Sequence, residues 1–446
     1  MLQAEPQLNV VSRTANTNRE IRKSEVGAPA PREGAFILHV LDHSWPVLSG
    51  YAVRSRNLIS AQSGLGERIK VITSPLHQVD DPQAEDRVLD NVEYLRTFVR
   101  TGLAKTAIER RWPLLREYEV VRALRERIIE TATRDNVRLI YAHSPALCGL
   151  AGLKAARKLG LPFIYEIRAF WEDAAEPNRA NSRPLRSRLT RNLETYVARR
   201  ADGVAAIAKP LLEDLKSRGL PASKLFHTPN GVDVQRFRAR TRDEALAREL
   251  GLLARPVFGF FGSLYGYEGV SWFVRAAARL RSRGHNFSIL IIGKGEDEPN
   301  IAKAIQECGA SGYVRSIPHV PHEQIERFYS VVDITVYPRQ SLRLTELVTP
   351  LKPLEAMALK KPVLASSVGG IRELVQNDRT GLLFKPGDVS DFCRQAERMI
   401  HSPTLCESLG ECGRDFVVSE RDWRILAHRY RQMYEQVLSA VAARCE

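Results

Sequence analysis

The sequence predicts an α/β protein made of two doubly wound, parallel-sheet domains, and three observations predict it. Short, continuously apolar runs recur along the chain, which is how strands covered on both faces read. Charged segments of helix length separate them, as crossover connections between parallel strands require. The alternation also occurs twice, once before about residue 230 and again after Phe237, in a chain of 446 residues that is too long for one ordinary domain. Sheets of this kind take ligands beyond the carboxyl ends of their strands, so two of them facing each other predict a central cleft.

Taken in order, residues 1–33 are polar, carry Pro and Gly without an apolar period, and read as a disordered tail. An N-terminal domain is expected over 34–230. Its first strand is AFILHVL (Ala35–Leu41), and a loop containing Gly50 leads from it into a helix. IKVITSP (Ile69–Pro75) is the next strand. Residues 78–134 are charged and read as largely helical, with Arg110, Arg111, Arg116, Arg122, Arg125 and Arg127 clustered. RLIYAHSP (Arg138–Pro145), PFIYEI (Pro162–Ile167) and GVAAIA (Gly203–Ala208) are further strands, separated by helical stretches such as Leu150–Leu159.

The C-terminal domain is expected over 231–420. RPVFGFFGSL (Arg255–Leu264) and FSILIIGKG (Phe287–Gly295) are strands running into glycine turns, and YVRSI, DITVYP, PVLAS and GLLF follow with helices between them. In the last segment, 421–446, Trp423, Leu426, Tyr430, Met433, Tyr434 and Val437 recur at helical spacing. They read as a packing stripe, on a helix returning toward the N-terminal domain.

Composition narrows the class. A hydrophobic content of 44% with 26% charged residues describes a globular protein with ample core. No run of about eighteen apolar residues occurs, so no membrane span is expected. The first residues lack the apolar core of an export signal. The six cysteines are scattered without a C-x-x-C pair, which points to reduced thiols in the cytoplasm and away from a zinc site. A net charge of +14 favours an acidic partner: nucleic acid, anionic lipid or a phosphorylated substrate.

The stretch Ser341–Glu373 carries the clearest chemistry. Pro353 suits the first position of a helix, Leu354 and Ala356–Leu359 propagate it, and Lys360, Lys361 and Pro362 close it. Val363–Ala365 is then a short strand, and Gly369-Gly370 lets the backbone turn where a ligand comes close. Glu355 falls in the first turn of the helix. There a carboxylate can accept from the cis hydroxyls of a ribose while amides and Lys352 face phosphate. The plainer alternative is a glutamate that only complements the helix dipole.

TPNGVD (Thr228–Asp233) followed by Phe237, together with Ser341–Glu373, resembles the family 4 glycosyltransferases of the GT-B fold, two Rossmann-like domains facing a cleft. FGFFGSLYGYEG (Phe258–Gly269) and LTELVTPLKPLEAMA (Leu344–Ala358) most resemble the exosortase-associated subgroup from exopolysaccharide loci. The similarity runs over about residues 35–440. It implies retaining transfer of a sugar from a nucleotide diphosphate to a lipid-linked or oligosaccharide acceptor. The nucleotide then sits on the C-terminal domain and the acceptor on the N-terminal one, with no cofactor.

Residue by residue, the resemblance assigns Glu355 to the ribose and places Asn230, Gly262, Gly293 and Leu354 around the donor. The family acid that contacts the donor sugar stands eight residues before the ribose-binding one. Here that position is Leu347, and Glu346, one residue earlier, takes the role if the loop holds one extra residue. The family also commonly places Arg after the glycine matched by Gly262 and Lys five residues later, to hold the diphosphate. This chain has Ser263 and Glu268 there. A diphosphate that gains charge on leaving needs a fixed positive field, so Arg339, Arg343 and Lys352 are expected to replace that pair.

On the other lobe, the resemblance places Gly50 against sugar or phosphate. Strand-end position puts Glu166, Arg168 and Glu172 near the cleft, and Arg168 is expected to touch acceptor or phosphate; His143, which follows another strand end, is a catalytic candidate, with a structural histidine as the plainer alternative. No D-x-D triplet occurs, so no metal clamp is expected. Between Arg179 and Arg200 stand seven arginines and one acid, Glu194, with Leu185, Leu189, Leu193 and Val197 every fourth residue. Such a basic amphipathic helix, 183–200, can lie on anionic lipid at the inner face of the cytoplasmic membrane. It can equally be a packed helix with a solvated face. Two rival functions stay open: a sugar-nucleotide 2-epimerase of the same fold, and a non-catalytic relative binding nucleotide sugar or nucleic acid. The basic helix holds only Tyr196 for base stacking, so a nucleic-acid partner is not expected.

Overall fold

The computed structural model describes residues 34–47, 49–77, 87–99, 113–174, 184–318, 320–321 and 324–444. The tail expected over 1–33 lies outside them, as do Arg110, Arg111, Arg179 and Arg183.

The N-terminal sheet has eight strands: β1 (Phe36–Leu41), β2 (Ile69–Thr73), β3 (Arg87–Leu89), β4 (Val92–Arg96), β5 (Val137–His143), β6 (Phe163–Ile167), β7 (Gly203–Ala206) and β8 (Leu225–His227). Their spatial order is β3-β4-β2-β1-β5-β6-β7-β8. All neighbours are parallel except β3 and β4, which form an antiparallel hairpin. That hairpin corrects the helical reading of 78–134, where the described helix covers only Pro113–Arg134. Asp90 and Asn91 both take positive φ, 51° and 61°. Adjacent left-handed residues make the two-residue turn that matches the twist of paired strands.

The C-terminal sheet is fully parallel, with β9 (Val257–Phe261), β10 (Ser288–Ile292), β11 (Val314–Ile317), β12 (Ile334–Tyr337), β13 (Val363–Ser366) and β14 (Leu382–Phe384) in the order β11-β10-β9-β12-β13-β14. Each sheet therefore has one place where the chain reverses its direction of travel. In the first it lies between β1 and β5, and in the second between β9 and β12. These are the crevices where open α/β sheets bind ligands.

Alternation along the strands sends residues to opposite faces. Leu38, Ile140 and Phe163 pack one face of the N-terminal sheet, and Ile37, Leu139 and Ile164 the other. The helix Trp423–Ala442 covers that second face. Trp423, Leu426, Tyr430, Met433, Tyr434 and Val437 all join its core, so the stripe read from the sequence is what seats this helix on the N-terminal sheet.

Candidate active site

In the C-terminal crevice, β9 runs into Gly262, which has φ +136° and no room for a side chain. A Cβ there would stand 2.0 Å from Cε of Lys352. The Lys352 ammonium thus lies over the glycine turn, 3.5 Å from the Ser263 carbonyl and 4.8 Å from the centre of the Phe260 ring. Ser263 itself is exposed at this rim. Gly269 lets the same loop cross the end of β12, since a Cβ there would meet the Pro338 carbonyl at 2.1 Å. The crossing buries Glu268 beside two cations. Its carboxylate is 3.3 Å from Lys352 Nζ and 3.6 Å from Arg339 Nε. Burial alone would push the Glu268 carboxyl up, but Lys352 and Arg339 together hold it below its ordinary range. Burial in turn pulls the Lys352 ammonium down, against the Glu268 charge.

One acid facing two cations leaves the group net positive. Glu268 Oε2 and Arg339 Nε also remain buried without a hydrogen-bond partner. The two atoms face each other at 3.6 Å, an ion pair just beyond hydrogen-bond reach. Glu355, on the helix Lys352–Ala358 that carries Lys352, is only partly covered. Burial pushes its carboxyl up to about 7, with Arg236 and Lys352 pulling the other way. No hydrogen bond to that carboxyl is formed among the described residues.

Other residues predicted for the donor are engaged elsewhere. The Leu354 side chain is fully buried in the core and its amide donates to the Leu351 carbonyl, so neither is free for phosphate. Gly293 serves packing, because a Cβ there would lie 1.8 Å from the Gly262 carbonyl. Asn230 is buried with both ends of its amide occupied. Its Oδ1 accepts from Arg54 at 2.8 Å, and its Nδ2 donates to Thr349 at 2.8 Å and 3.1 Å. It joins the domains at the linker and does not face the donor. Arg343 donates across the cleft to Asp173, at 2.9 Å, and to Asp214, which makes it an interdomain clasp. Glu346 accepts from the Gly369 amide at 2.6 Å and from Ser341 at 2.7 Å, with Arg372 at 3.4 Å. Its carboxylate fixes the Gly369-Gly370 turn.

The N-terminal lobe corrects two further expectations. His143 is fully buried, with Nε2 on His39 at 3.0 Å and Nδ1 on Glu166 at 3.1 Å. Burial and then the Arg168 charge lower its pKa to about 4, so it is a neutral histidine held within the core. Arg168 is also buried. It donates to Glu166, Ser55 and the Tyr51 carbonyl, and its guanidinium lies 4.2 Å over the Tyr51 ring. Glu166 further accepts from Tyr141 and Tyr430, which welds the C-terminal helix to this network. Strand-end position was right for these groups and exposure was not.

Gly50 opens the helix Gly50–Gly64 with Ser49 as its cap, and a Cβ on it would meet nothing within 4 Å. Beside it lies a set the sequence reading missed. Asp42 Oδ2 is 3.1 Å from His43 Nδ1, and His43 Nε2 is 2.8 Å from Ser49 Oγ. The available signal was an Asp-His pair directly after the first strand, with a Ser-Gly helix start seven residues on.

A cavity of about 620 Å³ lies at the opposite, amino-terminal edge of the C-terminal sheet, lined by Arg255, Asp333, Lys361 and Glu407 among others. Most of its charges are already met, Arg255 by Asp333 and Lys361 by backbone carbonyls. Among the described residues no group of three His, Cys, Asp or Glu is placed to hold a metal ion, and no helix is long and apolar enough to cross a membrane.

Two facing sheets with crevices at their reversal points define the GT-B fold, and solved structures agree. Sucrose-phosphate synthase from Thermosynechococcus elongatus superposes with a TM-score of 0.71 at 19% identity, over 91% of this chain and all of that one. Anabaena HepE in complex with UDP-glucose gives 0.66 at 18% identity, over 90% and 99%. Residues 49–231 match the glycosyl transferase 4-like domain and residues 243–416 match glycosyl transferases group 1. These two matches take in most of the chain, and it belongs to the family 4-type glycosyltransferases. A GDP-mannose-dependent alpha-mannosyltransferase of Mycolicibacterium smegmatis is 28% identical, over 70% of this chain and 77% of the relative. The 2-deoxystreptamine glucosyltransferase of Streptomyces kanamyceticus is 26% identical, over 65% and 74%.

Proposed function

We propose that the protein is a retaining, metal-independent glycosyltransferase that moves a sugar from a nucleotide-diphosphate donor to a lipid-linked or oligosaccharide acceptor, in assembly of a cell-surface polysaccharide. The observation that carries this reading is a partly covered carboxylate, Glu355, beside a net-positive group, Lys352, Glu268 and Arg339, in one strand-end crevice. Glu355 accepts from the two ribose hydroxyls, and Lys352 holds the diphosphate, with the buried Arg339 guanidinium, bonded to the Val348 carbonyl, adding positive charge behind it. The donor class is supported by relatives named for GDP-mannose and by a structural neighbour in complex with UDP-glucose.

Transfer follows from the charges. As the bond from the sugar's anomeric carbon to phosphate breaks, its electron pair goes to the diphosphate, which gains roughly one negative charge. Cations already held by Glu268 meet that charge without reorganising. The acceptor oxygen bonds the same face of that carbon, and the departing phosphate oxygen takes the acceptor's proton. Glu346 acts through the Gly369 turn that it fixes beside the donor sugar.

The enzyme works at the inner face of the cytoplasmic membrane in this reading. The helix Pro184–Arg200 leaves Leu185 and Leu189 70% and 56% exposed among exposed Arg186, Arg188 and Arg191, while its one acid, Glu194, is buried against Tyr165. Apolar side chains among cations suit an anionic lipid surface.

A thermal-shift screen of nucleoside diphosphates tests the core of the proposal, since a ligand that favours the native state raises its melting point. One of them should stabilise the wild type, and Glu355→Ala should lose that shift while remaining folded. An undiminished shift in the variant refutes the role given to Glu355.

A further inference from the structure

The hydrogen-bonded chain Asp42–His43–Ser49 stands at the N-terminal crevice, immediately past the carboxyl end of β1 and beside β5. With a neutral imidazole, Asp42 sets its polarity. A carboxylate offers only lone pairs, so the His43 proton sits on Nδ1 toward Asp42, 3.1 Å away, and Nε2 is left bare. Nε2 then accepts the Ser49 hydroxyl proton at 2.8 Å. Ser49 Oγ cannot serve as a free nucleophile, because it also caps the helix by accepting from the Ala52 amide at 3.1 Å.

The chain is held from beneath. The His43 ring packs 4.6 Å from the Tyr51 ring, and the Asp42 amide donates to the Tyr51 hydroxyl at 3.1 Å. Tyr51 is in turn fixed by buried Arg168, through its carbonyl and its ring face. On the solvent side His43 is only partly covered, and the Gly50 position leaves open space.

We infer that His43 and Ser49 form a subsite for a hydroxyl of the acceptor sugar, next to the hydroxyl that attacks. The two atoms are an acceptor and a donor closed on each other. A hydroxyl is both, so one inserted between them donates to His43 Nε2 and accepts from Ser49, making two bonds where one stood. His43 touches the acceptor, and Asp42 is a positioning residue that sets the imidazole tautomer. The assignment rests on the transferase reading and adds the acceptor class, a polyol.

The test uses the full chain, with GDP-mannose and UDP-glucose as donors and octyl β-glucoside and octyl α-mannoside as acceptor probes. His43→Phe keeps the ring over Tyr51 and removes both nitrogens. It should raise the acceptor KM about tenfold or more, as expected for loss of one or two hydrogen bonds. Donor KM should not move, and the melting point should fall only slightly, through loss of the bonds to Asp42 and Ser49. Asp42→Asn lets the amide donate to Nδ1, turns Nε2 into a donor, and should raise the same KM by a smaller factor. A merely loop-ordering chain predicts instead a markedly lower melting point with donor and acceptor KM shifting together, and that result overturns the assignment. So does a wild type that hydrolyses its donor yet glycosylates neither probe, or a His43→Phe variant with normal acceptor KM. A wild type that consumes no nucleotide sugar overturns the transferase reading itself.

Discussion

Lys352 offers the sharpest perturbation of the donor site, because the structure separates what it does for phosphate from what Glu355 does for the nucleoside. Its ammonium is 3.3 Å from the Glu268 carboxylate and lies across the Gly262 turn. At that distance and an effective dielectric of about 20, the gross attraction is roughly 5 kcal/mol, much of it offset by desolvation. Toward a diphosphate, a charge-assisted hydrogen bond contributes a net 1.5–3 kcal/mol or so. Lys352→Met should therefore weaken binding of the nucleoside diphosphate by roughly 10- to 150-fold and leave the bare nucleoside unaffected. Calorimetric titration of both ligands reads the difference directly. Glu268→Lys should be as damaging, since it crowds three cations into one buried group. The exchange Glu268→Lys with Lys352→Glu restores one acid among two cations and should recover part of the lost affinity. Equal losses for nucleoside and nucleoside diphosphate, or an exchange no better than either single change, would show that these charges do not hold phosphate.

The remaining predictions concern pH and the membrane. The native Glu355 carboxyl ionises near 7, against an ordinary value of 4.5, so the unfolded chain sheds this proton first as pH rises. Stability is thus lost progressively between those values, and the full cost, on the order of 1–3 kcal/mol, is present above pH 7. Glu355→Gln should raise the melting point of the ligand-free protein at pH 8, have little effect at pH 4, and abolish the nucleotide-induced shift; a lower melting point at pH 8 would contradict this sign. Replacing Leu185 and Leu189 by Glu should release the protein from phosphatidylglycerol-containing vesicles in a flotation assay, with transfer to water-soluble acceptors unchanged. Retention on those vesicles, or equal wild-type binding to neutral ones, would remove the basic helix from the account.

Much of the architecture was legible because it rests on apolar periodicity, which burial enforces residue by residue. The runs at Ala35–Leu41, Pro162–Ile167 and Phe287–Gly295 could be little else than strands covered on both faces. The hairpin β3–β4 escaped notice because its strands are short and edged with charge, and its signal was confined to Asp90-Asn91. The site was legible only where backbone geometry leaves a mark. Gly262 is a glycine because Lys352 passes over it, and Gly269 because Pro338 does. His143 and Arg168 were read at strand ends and Asn230 and Arg343 at the donor, but the sequence carries no sign of which polar group will be met by another. That depends on residues far away, such as Tyr430 for the Glu166 network and Asp173 for Arg343.

Two of those, Asn230 and Arg343, share a cause that bears on mechanism. Asn230 with Thr349, Arg343 with Asp173 and Asp214, and the Glu373 carboxylate on the Lys209 amide all tie one lobe to the other around the linker side of the cleft. Beneath them, Arg54 reaches Asn230, the Thr228 carbonyl and Tyr430, so the linker, the first helix and the last helix meet at one guanidinium. Polar residues clustered at a domain junction and at a catalytic crevice look alike in sequence, since both sit where strands end. What differs is how far each side chain is engaged. Asn230 and Arg343 have partners on the other lobe, and Arg54 and Glu373 are bonded at the junction, although Arg54 Nε and Glu373 Oε1 stay without a hydrogen bond. The Glu355 carboxyl, by contrast, accepts no hydrogen bond among the described residues, and Glu268 with Arg339 keeps unmet capacity. The His43–Ser49 pair differs again, being closed only on itself. A substrate can add bonds to the second and third kinds, and only the first must stay intact for the lobes to hold them in register.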